Sequence, residues 1–416
     1  MAAFFRYGKN MRDDDLRERL QSEFEWLHQH PELSGAEFET TRHIRAALEA
    51  AGVPVLDTGL ATGLVAEIRG RGADTGGTTV ALRADIDALP ITEETGLPHR
   101  SRAEGCMHAC GHDFHTSALL GAALLLAENR ATLPGTVKLI FQPAEESSGG
   151  AAQVLATGAL EDVREIYGLH VMPNLASGVI AIKEGATFAA SAKFTVDLRG
   201  TGGHAAMPEQ CKDPVLALAA LIQAAQSIVS RRTSPFDAVV VSFTHIEAGR
   251  TWNVIPAAAC AEGTIRALGT ERCEQAAREL ERLCAGIASA YDVEIVPRVI
   301  PDTPATNNNS ALCDFARETA RATGCRVIEF TPIMGSEDFA LYQQRIPGVF
   351  FCAGVQSPFP LHHPRFLADT AALPQCARLL ALLAERALHR LQTERPGAGL
   401  GTPPAGLGTP PAGLGQ

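Results

Sequence analysis

"AKFTVDLRG", residues 192–200, reads as a strand, and the order of the elements after it decides the fold. A helix is expected over 213–230, strands at "AVVVSFTHIEAG" (238–249) and "AACAEGTIRAL" (258–268), a helix over 271–290, and a last strand at "DVEIVPRVI" (292–300). Strand, helix, two strands, helix, strand is the order of a ferredoxin-like unit.

The flanks follow another rhythm. Amphipathic helices are expected over 13–29 and 37–51, separated by "HPELSG", because apolar residues recur at helical spacing among charges. Strands "TGLVAEIRG" (62–70) and "TTVALRADID" (78–87), a helix over 114–129, and strands "GTVKLIFQP" (135–143) and "GVIAIKEG" (178–185) then alternate as in an α/β sheet. "GVFFCAG" (348–354) and a helix over 372–392 resume that style, so the ferredoxin-like unit is an insertion. The expected division is 1–184 and 299–395 for the two parts of one domain and 185–298 for the insert. The tail 396–416 repeats AGLGTPP, offers no core, and is expected to be disordered.

A chain of 416 residues has room for both domains. Its formal charge of −11 and its lack of any Lys/Arg block exclude nucleic acid as an expected partner. Apolar runs such as "SALLGAALLLAEN" (117–129) are too short to span a bilayer, and "MAAFFRYGKNMRDDD" has no secretory core, so no membrane partner and a cytoplasmic location are expected. Ten cysteines without a CxxC pair are expected to be mostly buried thiols.

The chemistry gathers at four places. In "HACGHDFHTS" (108–117), one residue separates Cys110 from His112, which lets both converge from a tight loop. A thiolate and an imidazole suit zinc, with cobalt, nickel and manganese as substitutes, although a polar loop accounts for the pair equally well. "LIFQPAEESSGG" ends an apolar strand in Glu145 and Glu146. Adjacent side chains diverge, so one carboxylate is able to bind a metal while the other takes a proton from water; an acid-rich helix start is the plain alternative. His170 in "YGLHVMP" and His362 and His363 in "LHHPRF" follow other strands. Each alone reads as a core histidine, but four strand-end loops with donors make coincidence the harder explanation.

The ordered motifs "HQHPELSGAEFET", "RADIDALPI", "MHACGHDFHT", "QPAEE", "GLHV", "GGHAAMP", "NVIP", "GTIR", "MGSEDFA" and "LHHP", over about residues 24–366, resemble the metallo-amidohydrolase family of hippurate hydrolases, N-acyl-amino-acid hydrolases and plant indole-3-acetyl-amino-acid hydrolases. The resemblance implies a zinc-peptidase-like α/β catalytic domain carrying an inserted ferredoxin-like α+β domain, which serves as a lid and as a dimerisation surface. It implies that Cys110, His112, Glu146, His170 and His362 bind two divalent metal ions, zinc or manganese, with cobalt or nickel as substitutes. His362 is preferred to His363 because it keeps the family spacing to Pro364.

Glu145 becomes the general base, and His204 polarises the scissile carbonyl, reaching the site of a partner subunit. Asp85 and Asp87 are expected to orient the ligands from behind, with Asp113 and His115 as similar candidates, while His108 is left as loop structure. Asn253 and Arg266 are candidates for holding the substrate's carbonyl or carboxylate. Glu337 and Asp338 either support the metal loop or cap a helix starting near 336. Phe114 in place of a frequent glycine, and Glu209 in place of a frequent histidine, depart from the family pattern and weaken any transfer of substrate preference.

The expected reaction is hydrolysis of a hippurate-like N-acyl amino acid to a carboxylic acid and a free amino acid, in a homodimer or larger homo-oligomer formed through the insert. The alternatives are an N-acetyl-diaminopimelate-type deacetylase or dipeptidase, a cysteine hydrolase using Cys110, and a non-catalytic metal-binding protein.

Overall fold

In the computed structural model, residues 12–393 are described apart from 72, 74–76 and 148; the expected disordered tail lies outside the described residues. Strands Thr79–Asp85, Thr136–Gln142 and Gly348–Gly354 are buried at every position. Strands buried along their whole length need cover on both faces of a sheet. They belong to a seven-stranded sheet ordered Leu64–Arg69, Thr136–Gln142, Thr79–Asp85, Val163–Met172, Gly348–Gly354, Val179–Ile182, Arg326–Glu329. Thr79–Asp85 runs parallel to both neighbours, and Gly348–Gly354 runs parallel to Val163–Met172. The carboxyl ends of four central strands therefore share one edge.

One face of this sheet carries the larger core, built with helices Asp13–Gln29, Phe38–Ala50, His112–Glu128 and Leu373–Thr393. The other packs on the short helices Gly150–Ala156 and Phe339–Gln343. His112–Glu128 is enclosed on nearly all sides and begins two residues earlier than the expected 114. The polar "GHD" reads as loop, yet His112 and Asp113 form the first helical turn because both find buried partners there.

The insert is a separate antiparallel sheet, ordered Glu294–Thr303, Ala190–Arg199, Ala258–Ala267, Val239–Ala248, with its own core. This strand order and the two helices confirm the ferredoxin-like plan. Along its first strand Ala192, Phe194, Val196 and Leu198 are buried and turn toward helices Pro214–Arg232 and Thr270–Tyr291. Asp213 starts the first helix by accepting from Val215 N and Leu216 N, with Pro214 at the position where no N–H is needed.

The sheet runs from Ala190 to Thr303, later at both ends than the 185–298 read from sequence. Gly185–Phe188 pairs instead with Thr306–Asn308, a ribbon between the two domains. The break at Lys183-Glu184-Gly185 marks only the start of this ribbon, and "ATFAA" (186–190) runs on without a further break into the insert sheet. By length and composition Pro214–Arg232 is apolar enough to cross a membrane, but its buried residues pack in the insert core.

Candidate active site

The site forms where the parallel strands end. Cys110 is followed by Gly111, whose φ of 82° turns the chain into the helix at His112. A Cβ at Gly111 would stand 2.4 Å from Val171 Cγ2, so this tight turn requires glycine. It aims Cys110 Sγ at His170 Nε2, 3.5 Å away.

His170 points its Nδ1 at its neighbour's carbonyl, Val171 O, at 2.7 Å. Burial, then the nearby His115, lowers its pKa to about 3. It is therefore a neutral imidazole with the Nε2 lone pair facing the thiol. His112 Nδ1 lies 2.8 Å from Asp87 O and 3.1 Å from Asp87 Oδ1, which directs Nε2 inward. Glu146 Oε1 stands 3.8 Å from His112 Nε2 and 3.5 Å from His362 Nε2. The donor atoms of Cys110, His112 and His170, of Cys110, Glu146 and His362, and of His112, Glu145 and Glu146 form three overlapping sets, each within 4.8 Å.

Two of these atoms, His112 Nε2 and Glu146 Oε1, are buried without any hydrogen-bond partner. Buried polar atoms are rarely left unpaired, so this donor set fits divalent cations. Burial opposes a charge on His112, but Asp85 and Asp87 outweigh it and raise its pKa well above the usual value. His362 is placed by a left-handed backbone, φ 62°, and by its N–H to Ala109 O at 2.8 Å. His363 turns away and stacks on Phe359.

Asp87 touches the candidate ligands directly: Oδ1 meets His112 and Oδ2 accepts from Glu146 N at 3.0 Å. Asp85 lies 3.9 Å from His112 Nε2 and 2.6 Å from His115 Nδ1. His115 Nε2 accepts from Val171 N, so both its nitrogens are engaged. Asp113 does not meet a candidate ligand; its carboxylate bonds His28 at 2.6 Å, because the first turn of its helix directs it toward the N-terminal helix. His108 is buried with neither nitrogen partnered.

Glu145 lies with Glu337 and Asp338, and burial followed by those two negative charges raises its carboxyl pKa well above the ordinary range. Sequence reasoning missed what stabilises this acidic group. Arg83, wholly buried, reaches Asp85 at 2.7 Å, Asp338 at 2.8 Å, Glu337 at 3.0 Å and Gln142 at 2.8 Å. An arginine inside the apolar strand "TVALRAD" was the available signal. Asp338 makes no cap bond to its own helix and holds Ala151 N instead, whereas Glu337 Oε1 accepts from Phe339 N.

A cleft of about 560 Å³ opens over these residues, lined also by Phe188, Ile333, Leu361 and Arg266. Arg266 comes from the insert and is fixed by Ser336 Oγ at 2.9 Å. His204 and Asn253 do not line this cleft; they sit on the exposed ribbon where His204 pairs with Val254. A larger cleft of about 690 Å³ on the insert is lined by none of the clustered donors, so chemistry rather than size selects the site.

An α/β domain with these donors at its strand ends and a ferredoxin-like insert defines a zinc-peptidase-like enzyme that hydrolyses amide bonds. The chain belongs to peptidase family M20/M25/M40, which it matches over residues 81–386. It is 43% identical to N-acetylcysteine deacetylase of Bacillus subtilis (strain 168), over 90% of this chain and 98% of the relative. It is 40% identical to the Arabidopsis thaliana IAA-amino acid hydrolase ILR1-like 4, over 89% and 87% of the two chains. A solved Bacillus subtilis structure, described as a dinuclear metal-binding peptidase of the M20 family, superposes with a TM-score of 0.83 at 40% identity, covering 91% of this chain and 99% of that one.

Proposed function

We propose that the chain hydrolyses N-acyl amino acids to a carboxylic acid and a free amino acid. Cys110, His112, Glu146, His170 and His362 would hold two divalent cations, zinc or manganese, and Glu145 would serve as the base. The observation that carries this reading is the pair of buried, unpartnered atoms, His112 Nε2 and Glu146 Oε1, facing each other among the other donors. Bound cations supply Lewis acidity toward the carbonyl and lower the pKa of water.

The remaining steps belong to side chains. Glu145 takes the proton of the attacking water and returns it to the leaving amine. Arg266 pairs with the amino acid's carboxylate, while Phe188, Ile333 and Leu361 line an apolar side for the acyl group. His204, exposed on its ribbon, is free to stabilise the oxyanion in a partner's site, and Asn253 beside it to bind the same carbonyl. Val215, Leu216 and Val229 leave an apolar stripe exposed on the insert helix, which supports a homodimer through that domain.

Burial and the charge of Glu146 raise the Cys110 pKa well above its usual value. A cysteine-hydrolase reading leaves the clustered Glu145 and Glu146 without a role, which favours the metal-dependent reading. The relatives' names support both small acyl groups, as in N-acetylcysteine and N-acetyldiaminopimelate, and larger ones, as in indole-acetyl conjugates.

The test is a panel of acetyl-, benzoyl- and indole-acetyl-glycine, N-acetylcysteine, N-acetyldiaminopimelate and dipeptides. It is run with zinc- or manganese-loaded protein, after chelation, and after metal is restored. Hydrolysis that disappears and returns with the metal is expected. Two bound cations with no turnover on any member would overturn the proposal.

A further inference from the structure

The motif "HPELSGAEFET" contributes no donor to the site, yet it contains a buried carboxylate directed at the loop that carries Glu145 and Glu146. That loop departs from ordinary backbone at one residue. Ala144, immediately before the pair, has φ 52°, in the left-handed region that side-chain-bearing residues avoid. Its carbonyl accepts from Gly149 N at 3.3 Å and Gly150 N at 3.1 Å, which closes the turn on one side. On the other side, its N–H donates to Glu37 Oε1 at 2.7 Å. Glu37 has no accessible surface. Although it occupies the N-cap of helix Phe38–Ala50, its side chain makes no capping bond, so helix capping does not explain the carboxylate.

The turn decides where the two acids point. Beyond Ala144 both acids approach His112, but only Glu145 also joins Glu337 and Asp338, and only Glu146 also joins Cys110 and His362. An extended backbone at residue 144 would carry both side chains to other places. Glu146 N is also bound by Asp87, but Glu145 has no such clamp of its own among the described residues.

We infer that Glu37 is a positioning residue: by holding the Ala144 N–H it keeps the left-handed turn that sends Glu145 to the base position and Glu146 to the cation position. This rests on the roles proposed above for those two residues. Glu37 belongs to none of the donor sets and does not line the cleft, so it acts through the turn.

The test uses the full-length, metal-loaded enzyme and four variants. Glu37→Met keeps the bulk and removes the acceptor; Glu37→Gln keeps an acceptor oxygen; Ala144→Gly makes the left-handed turn conformationally easy; and Glu37→Met is combined with Ala144→Gly. The readouts are kcat, KM, bound metal per chain and Tm. Glu37→Met is expected to lower kcat about 10- to 100-fold and to weaken metal retention, with KM changed far less. Glu37→Gln should stay near the parent. Adding Ala144→Gly to Glu37→Met should recover at least about tenfold in kcat, because glycine adopts the turn without the clamp. A purely structural loss at Glu37 would lower Tm and would not be repaired from residue 144.

Parental kcat in Glu37→Met, or a loss that Ala144→Gly leaves unrepaired, overturns the inference. Glu145→Gln, measured in parallel, separates the two levels. Full turnover there removes the proposed base itself, whereas an inactive Glu145→Gln beside an unaffected Glu37→Met removes only the positioning role.

Discussion

Asp87 presents two oxygens to one nitrogen of His112, its carbonyl at 2.8 Å and its carboxylate at 3.1 Å from Nδ1. The same carboxylate accepts from Ser34 Oγ at 2.6 Å and from Glu146 N, so one buried acid orients two candidate ligands. Asp87→Ala is expected to weaken zinc or manganese affinity about 10- to 100-fold, measured by chelator competition. Affinity equal to the parent's would show that neither ligand depends on Asp87.

Glu145 stands with Glu337 and Asp338 and shares one donor set with His112 and Glu146, but it is absent from both sets that contain Cys110. Glu145→Gln should therefore retain its bound metal while turnover falls by at least about 100-fold. Metal analysis and initial rates on one preparation check both halves. Rates near the parent's would assign proton transfer to another group.

Arg83 bridges Asp85, Glu337 and Asp338 with its side chain fully buried, so its removal takes the shared counter-charge from Glu337 and Asp338 and one of the partners from Asp85. Arg83→Met is expected to cost about 3–5 kcal/mol of stability, read as a lowered denaturation midpoint. A midpoint within experimental error of the parent's would mean that those acids take up protons at no cost to the fold.

His28 links the N-terminal helix to Asp113 and Glu93, at 2.6 and 3.3 Å. Burial favours the neutral ring, but the hydrogen bonds and charges of the two acids prevail and raise its pKa from 6.5 to about 10. The folded pKa lies above the unfolded one, so this stabilisation is complete below about pH 6.5 and is lost as pH rises toward 10. Replacing His28 by Gln should lower Tm most at pH 6 and progressively less toward pH 10. A Tm difference constant across that range would contradict a charged His28.

Much of this architecture is legible locally. The alternation of Ala192, Phe194, Val196 and Leu198, the Asp213–Pro214 helix start and the β-rich run Val137–Phe141 are governed by near neighbours, so pattern alone reveals them. The candidate donors Cys110, His112, Glu146, His170 and His362 were also picked out locally, because each stands in a short motif of the family resemblance. Asp87 behind His112 was expected from its motif, but other buried pairings were not legible. Asp113 turned out to serve His28, eighty-five positions away, and Arg83 to pair with Asp338 across 255 positions.

Sequence by itself determined the two-domain plan, the class of chemistry and which residue types carry it, since periodicity and donor chemistry are properties of short segments. Only the tertiary structure decided which nitrogen of His112 faces the other donors, that His362 lines the cleft while His363 turns away, and that Ala144 takes a left-handed turn. Each of these depends on a buried contact between segments far apart in the chain, and such contacts leave no period or spacing in the sequence that encodes them.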